Sequence, residues 1–96
     1  MTNDEIKAAF ERWPSVLAFA LEMTKKLDAH QLKKGGRENW LKYPPEQLMR
    51  RVTEEVIELG DVVFSTGRQL DILGEAVDVA NMAMMVVDSA GMLEST

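Results

Sequence analysis

The sequence predicts an all-α fold, a four-helix-bundle-like arrangement in a single domain over residues 1–96. Apolar residues recur at three- and four-residue spacing along most of the chain, which is the spacing of a helix that packs on one face. No stretch alternates apolar and polar residues over the length of a strand. Repeats and low-complexity tracts are absent, and nothing in the composition marks a second domain.

The first half of the chain contains two predicted helices and one predicted loop. A short helix covers residues 4–12, and Pro14 suits the first position of a second helix because its fixed φ angle favours a helix start. We expect the second helix to end at Gly35 and Gly36. Residues 35–45 are then expected to form one long loop.

The second half contains two longer predicted helices. Pro44 and Pro45 begin the third helix, which ends at Gly67. The fourth helix extends from Asp71, a suitable N-cap, to Gly91. Because this fourth helix is apolar nearly all round, we expect it to be buried in a bundle or an interface.

Length and composition exclude several classes of protein. The chain has 96 residues and no cysteine, which excludes disulfides and cysteine-based zinc or thiol chemistry and fits a reducing cytosol. No secretory signal and no apolar run of about 18 residues is visible, so we expect a soluble cytoplasmic protein with no membrane partner. A domain this small buries a limited core, which favours a homo-oligomer.

Charge is distributed unevenly along the chain, although the net charge is only -5. Residues 25–51 carry eight basic and three acidic side chains, whereas residues 52–96 carry nine acidic side chains and one basic side chain, Arg68. Binding to a nucleic acid polymer favours one extended basic face, which this pattern lacks. The pattern suits a site that holds metal ions on one side and phosphates on the other.

Five acidic residues occupy helical spacings on the third and fourth helices. Glu54, Glu55 and Glu58 project from a sector about 100° wide, and Glu75 and Asp78 lie three residues apart on one face of the fourth helix. Unpaired carboxylates on so apolar a helix cost several kcal/mol. A solvated face explains an isolated group of acids on the third helix, but it does not explain the acids of the fourth. We therefore expect a cation beside them.

The donor set indicates which cation. The candidate ligands are carboxylates, whose hard oxygen atoms suit Mg²⁺ or Mn²⁺. The Glu-x-x-His element of di-iron bundles is missing, and the one histidine, His30, lies on another segment. Two acid pairs on adjacent antiparallel helices can converge on one or more Mg²⁺ ions and leave coordination positions open for water and phosphate oxygens.

The acid motifs also resemble those of a known family. The segment EEVIE at 54–58, followed after sixteen residues by EAVD at 75–78 and then by Asn81, resembles the EExxE and ExxD pattern of the MazG-like all-α nucleoside triphosphate pyrophosphohydrolases. The stretch HQLKKGGRENW at 30–40 and the run EAVDVANMAMMVVD at 75–88 are similar to the short single-domain members found in phages and prophages. The resemblance covers residues 30–88.

This resemblance implies an enzyme that hydrolyses nucleoside or deoxynucleoside triphosphates to the monophosphate and pyrophosphate, for control or cleaning of the nucleotide pool. It implies a homodimer or a tetramer made of dimers. The implied metal ligands are Glu55, Glu58, Glu75 and Asp78. Glu54 is implied to bind a further metal ion or to orient the attacking water, and Asn81 to contact the sugar or base of the nucleotide.

The basic middle segment supplies the candidate phosphate ligands. These are Lys33, Lys34 and Arg37, with Arg50 and Arg51 as weaker candidates. Trp40 is expected either to stack on a base or to pack in the core. Longer relatives carry basic residues after the second acid pair, whereas this chain has none after Arg68. Phosphate contacts are therefore expected from residues 33–51 or from another subunit.

Two other functions compete with this hypothesis. A non-catalytic helical assembly module would bind a divalent cation for stability alone. A related enzyme would use the same site on a signalling nucleotide or a modified base.

Overall fold

The computed structural model describes residues 1–93, and every regular element within that range is helical. Five α-helices and one 3-10 turn follow in order: α1 (Asn3–Arg12), α2 (Pro14–His30), the 3-10 turn (Leu32–Lys34), α3 (Arg37–Leu41), α4 (Pro45–Ser65) and α5 (Gln69–Ser89). The all-α prediction is confirmed. None of the helices in this range is both long and apolar enough to cross a bilayer.

Proline and glycine mark several helix ends as predicted. Pro14 begins α2 and Pro45 begins α4, where the missing N–H of proline costs nothing because the first N–H groups of a helix have no partner within it. Gly67 follows the end of α4 with φ 62°, and its N–H donates to the carbonyl of Val62 at 2.9 Å. That left-handed conformation favours glycine over residues with a side chain.

Three predicted features of the connecting segments are wrong. α2 ends at His30 instead of Gly35 and Gly36, because the chain tightens there into the 3-10 turn. Residues 35–45 are not one loop, since they contain α3. The N-cap of α5 is Arg68 instead of Asp71, because the turn after Gly67 is short; the Asp71 carboxylate then lies in the first turn, near the positive end of the helix dipole.

A buried ion pair fastens α3 to α5. Asp88 is 4% exposed and accepts two hydrogen bonds from Arg37, from Nε at 2.7 Å and from Nη2 at 2.6 Å. The indole Nε1 of Trp40 donates to the same carboxylate at 2.9 Å. Bonding to Arg37 is the main reason that the pKa of Asp88 lies below its ordinary value, against the opposing effect of burial. We call these three side chains the Asp88 clasp.

The helices pack around α5. α4 returns along α5 and forms the most extensive helix contact in the described chain, while α2 and α3 also pack on α5. Trp40, Leu48 and Met85 form the buried apolar cluster. The Asp88 clasp therefore holds Trp40 in the core and brings the segment before α4 against the same end of α5.

We expect Asp88→Asn to lower the free energy of unfolding by about 2 to 4 kcal/mol, because it leaves the guanidinium of Arg37 without its buried anion. Urea unfolding followed by circular dichroism measures this loss. Glu22→Gln is the matched control, since it removes one carboxylate from the exposed pair with Lys25 at 3.0 Å. The control should change the same quantity by less than about 1 kcal/mol. Equal losses in the two variants contradict a stabilising role for the clasp.

Candidate functional site

Three of the predicted acids meet where α4 packs on α5. One carboxylate oxygen each from Glu55, Glu75 and Asp78 lies within 4.8 Å of the others, and all three residues are half-buried. Glu55 lies on α4, and the other two lie one turn apart on α5. We call these three residues the acid cluster. Their convergence is the arrangement that the spacing of the acids predicts.

Glu58 lies at the exposed edge of the acid cluster. It lies close enough to Glu55 and Glu75 to raise the pKa of each. Glu54 is placed differently. Its side chain is 66% exposed and approaches Arg51, with Oε2 3.5 Å from Nε. Four of the five predicted acids are therefore brought together, and Glu54 lies apart from them.

Burial and like charge raise the pKa of two members of the acid cluster, Glu55 and Glu75. Burial, followed by hydrogen bonding to Glu58 and the charges of Glu58, Asp78 and Glu75, raises the pKa of Glu55 to about 7. Burial is also the main cause of the raised pKa of Glu75, and the ammonium of Lys26 opposes it. Near neutral pH the folded chain therefore favours a proton, or another cation, at Glu55.

Lys26 enters the acid cluster from α2. Its Nζ donates to the carbonyl of Gly74 at 2.9 Å and forms an ion pair with Asp78 Oδ1 at 2.9 Å. The sequence analysis missed this contact and expected a metal ion alone to compensate the acids of α5. That expectation is corrected for Asp78, which already has a cationic partner. Helical spacing was the signal that could have indicated this contact. Lys26 follows Met23 by three residues and precedes His30 by four, so the three side chains share one side of α2.

Two carboxylate oxygens of the acid cluster have no such partner. Glu55 Oε2 and Glu75 Oε2 are buried and accept no hydrogen bond from any residue in the described range. A buried anionic oxygen left unpaired costs more than most single interactions in a small protein contribute. These two atoms, unlike Asp78, retain the need for a cation.

Asn81 is buried beside the acid cluster with one polar atom unsatisfied. Asn81 is 6% exposed, and its Nδ2 donates to the carbonyl of Met23 at 3.2 Å. A backbone carbonyl can only accept a hydrogen bond, so the NH₂ group of the Asn81 amide must face it and Oδ1 must point the other way. Oδ1 is left buried with no donor from residues 1–93. It can accept a hydrogen bond from a hydroxyl or an amino group.

A groove with two adjoining lobes opens beside these residues. The inner lobe has a volume of about 410 Å³, and its lining includes Lys26, Glu55, Asp78 and Asn81. The outer lobe has a volume of about 490 Å³, and its lining includes Trp40, Tyr43 and Glu54. Five residues line both lobes: Gln31, Lys34, Arg51, Met82 and Met85. Each volume is in the range of small-molecule sites.

The predicted substrate-binding residues are distributed unevenly around this groove. Lys34 lines both lobes, whereas Lys33 lines neither. Arg37 binds Asp88, and Trp40 is 7% exposed and packs in the core, although it also borders the outer lobe. Of the weaker candidates, Arg50 lines the outer lobe and Arg51 lines both. His30, which the sequence analysis did not place in a site, lines the inner lobe.

Comparison with known proteins leaves the family of this chain open. No protein-family model matches the chain, and neither the curated proteins nor the solved structures contain a significant match. The resemblance to the MazG-like enzymes therefore stays a prediction. The chemistry of the groove is the basis for assigning a function.

We expect the metal-free protein to lose stability as the pH rises. Glu55 has a pKa of 4.5 when unfolded and about 7 when folded. Between these values the folded chain binds more protons than the unfolded chain, so the free energy of unfolding decreases with increasing pH. Urea titrations in a chelator, repeated from about pH 4.5 to about pH 7, measure this slope.

Glu55→Gln is the control for this pH series, and it should flatten the slope because it removes the group with the raised pKa. The lowered pKa of Asp88 has the opposite effect, but only around and below its ordinary value of 3.8. A free energy of unfolding that increases with pH across the whole series contradicts the assignment.

Proposed function

We propose that this protein is a Mg²⁺-dependent pyrophosphohydrolase that converts nucleoside or deoxynucleoside triphosphates to monophosphates and pyrophosphate. The observation that carries the proposal is the pair of buried oxygens, Glu55 Oε2 and Glu75 Oε2, that lack a hydrogen-bond donor beside Asp78. Carboxylate oxygens alone suit Mg²⁺, with Mn²⁺ as a substitute. The resemblance to the MazG-like enzymes, which includes these acids, implies the same reaction.

The acid cluster, Glu58 and Glu54 have different proposed roles in metal binding and catalysis. Glu55, Glu75 and Asp78 would hold the ion, and Glu58 would join them from the exposed edge. An ion held by these residues would supply positive charge for the phosphates and a more acidic water for the attack. Glu54 lines the outer lobe, from which it can orient the water that attacks the α-phosphorus.

The groove supports a nucleotide as the substrate. Asn81 Oδ1 needs a donor, which a sugar hydroxyl or a base amino group supplies and a phosphate oxygen does not. Lys34 and Arg51 line both lobes and offer positive charge to a polyphosphate. Trp40 and Tyr43 border the outer lobe and offer apolar surface to the base. We propose deoxynucleotide pool control in the cytoplasm, in a phage or prophage context, as the role.

Hydrolysis is tested by incubating the protein with each nucleoside and deoxynucleoside triphosphate, with and without Mg²⁺. We expect the monophosphate and pyrophosphate as products, separated by ion-exchange chromatography, only when Mg²⁺ is present. Stabilisation by Mg²⁺ without turnover of any nucleotide overturns the proposal and supports the non-catalytic assembly module. Turnover confined to a signalling or modified nucleotide supports the second enzymatic alternative.

Neutralising any member of the acid cluster should lower kcat/KM by on the order of 100-fold, because phosphate charge in the transition state loses its stabilising cation. The variants are Glu55→Gln, Glu75→Gln and Asp78→Asn. Asp71→Asn is the control, since it removes an exposed carboxylate from α5 outside the groove. Wild-type Mg²⁺-dependent activity in one variant removes that residue from the proposed ligands.

We also propose that the protein assembles as a homodimer or as a tetramer of dimers. The chain exposes 7165 Å², whereas a compact monomer of 10.8 kDa exposes about 5,500 Å². The difference, about 1,600 Å², exceeds the roughly 800 Å² that one partner buries in a standard interface. The radius of gyration of 14.6 Å likewise exceeds the roughly 12.5 Å expected of a compact chain of this length.

The outer side of α4 is the proposed interface. Its exposed apolar side chains are Met49, Val56, Ile57, Val63 and Phe64. Gly60 lies between Val56 and Val63 on this helix, and a Cβ built there meets no atom of residues 1–93 within 4 Å apart from the backbone of its own helix. The absence of a side chain at this position leaves room for a helix of another chain to approach.

Val56→Glu should weaken self-association by about 100-fold, since burying an unpaired charge costs about 3 kcal/mol or more. Sedimentation equilibrium measures the dissociation constant. Leu32→Glu is the control, because it adds the same charge to an exposed apolar position outside α4 and outside both lobes. A wild-type protein that stays monomeric, or equal effects of the two variants, contradicts the proposed interface.

A further inference from the structure

Lys26 joins α2 to α5 at the point where the groove meets the acid cluster. Both of its polar partners lie on α5: the carbonyl of Gly74, which accepts a hydrogen bond, and the carboxylate of Asp78, which forms an ion pair, each 2.9 Å from Nζ. The side chain keeps 29% of its surface exposed and lines the inner lobe together with Asn81. The ammonium is therefore held in place and still accessible from the groove.

The donors of this ammonium are not all used by the protein. An ammonium has three N–H groups: one donates to the carbonyl of Gly74, and the Asp78 carboxylate lies beside the nitrogen as an ion-pair partner, so at least one N–H group remains for a ligand. A lysine that only ties two helices together does not need to border a cavity. A lysine that binds a ligand needs a tethered position and a remaining donor, and Lys26 has both.

We propose that Lys26 binds an oxyanion of the ligand, specifically a phosphate of the pyrophosphate portion of a nucleoside triphosphate, while it stays bonded to Asp78. This inference rests on the proposed function. It places a phosphate-binding residue on α2. The sequence instead predicted phosphate contacts from residues 33–51 or from another subunit.

Charge in the site supports this role. Glu55, Glu58, Glu75 and Asp78 crowd one end of the groove with four carboxyl groups, and a triphosphate brings further negative charge. One divalent cation leaves this end of the groove short of positive charge if the carboxyl groups are ionised. Lys26 is the basic residue that contacts a carboxylate of the acid cluster in the described structure. Its ammonium therefore lies where the repulsion between protein and phosphate is strongest.

The test is the binding of inorganic pyrophosphate to the whole protein in Mg²⁺, measured by isothermal titration calorimetry. We expect Lys26→Met to weaken pyrophosphate binding by about 10- to 100-fold, because it removes a charge-assisted hydrogen bond. Mn²⁺ binding without pyrophosphate is measured in parallel. It should stay within about threefold of wild type or become tighter, since Asp78 is released from the ammonium.

Lys25→Met is the matched control, because Lys25 is the neighbouring residue on α2 and pairs with exposed Glu22 at 3.0 Å. It should bind pyrophosphate as the wild-type protein does. Lys26→Gln keeps a donor for the carbonyl of Gly74 and should show the same loss as Lys26→Met if the latter does not fold.

Two results overturn the role of Lys26. One is pyrophosphate affinity equal to wild type in the folded Lys26 variant, which leaves the residue a purely structural tie between helices. The other is a wild-type protein that does not bind pyrophosphate. Both differ from failure of the proposed function, in which the wild-type protein binds pyrophosphate but hydrolyses no nucleoside triphosphate.

Discussion

Repulsion among Glu55, Glu75 and Asp78 opposes the most extensive helix contact in the described chain, because one oxygen from each lies within 4.8 Å of the others where α4 packs on α5. Apolar packing along the two helices holds them together against this repulsion. The neighbouring elements then act on the same charges. α2 contributes the ammonium of Lys26. The half-buried position of the cluster limits how far water screens the remaining charge of the carboxylates.

α5 carries two kinds of buried acid, and their surroundings separate structure from function. Asp88 accepts hydrogen bonds from Arg37 and Trp40, which lower its pKa and leave it no need of a ligand. Glu75 lies about three and a half turns away on the same helix, with a raised pKa and an unsatisfied oxygen. A carboxylate with hydrogen-bond donors, such as Asp88, stabilises the fold. A buried carboxylate without them, such as Glu75, favours the binding of a cation.

The position of α2 connects the fold to the groove. Two polar side chains hold α2 against α5: Lys26, which contacts Gly74 and Asp78, and Asn81, which donates to the carbonyl of Met23. Each of these two side chains also keeps a polar group near the inner lobe: the ammonium of Lys26 and Oδ1 of Asn81. A displacement of α2 would therefore alter the charge beside the acid cluster and the orientation of the Asn81 amide together.

The sequence by itself determined the helical class, several helix ends and the shared face of Glu75 and Asp78. These properties follow from local geometry: Pro14, Pro45 and Gly67 act through their own backbone angles. Glu75 and Asp78 share a face because each residue of a helix turns by about 100°. Any helix that contains this spacing presents the two carboxylates together, whatever it packs against.

Only the tertiary structure decided which distant side chains meet. Arg37 was expected at the substrate and Trp40 either there or in the core, but Asp88, about fifty residues away, binds both. Lys26 reaches Asp78 across a similar separation. Helical periodicity describes one helix and says nothing about how far its neighbour slides or rotates on it. That arrangement is set by the packing of all the buried side chains at once, and it determines which charges are paired inside the protein and which await a ligand.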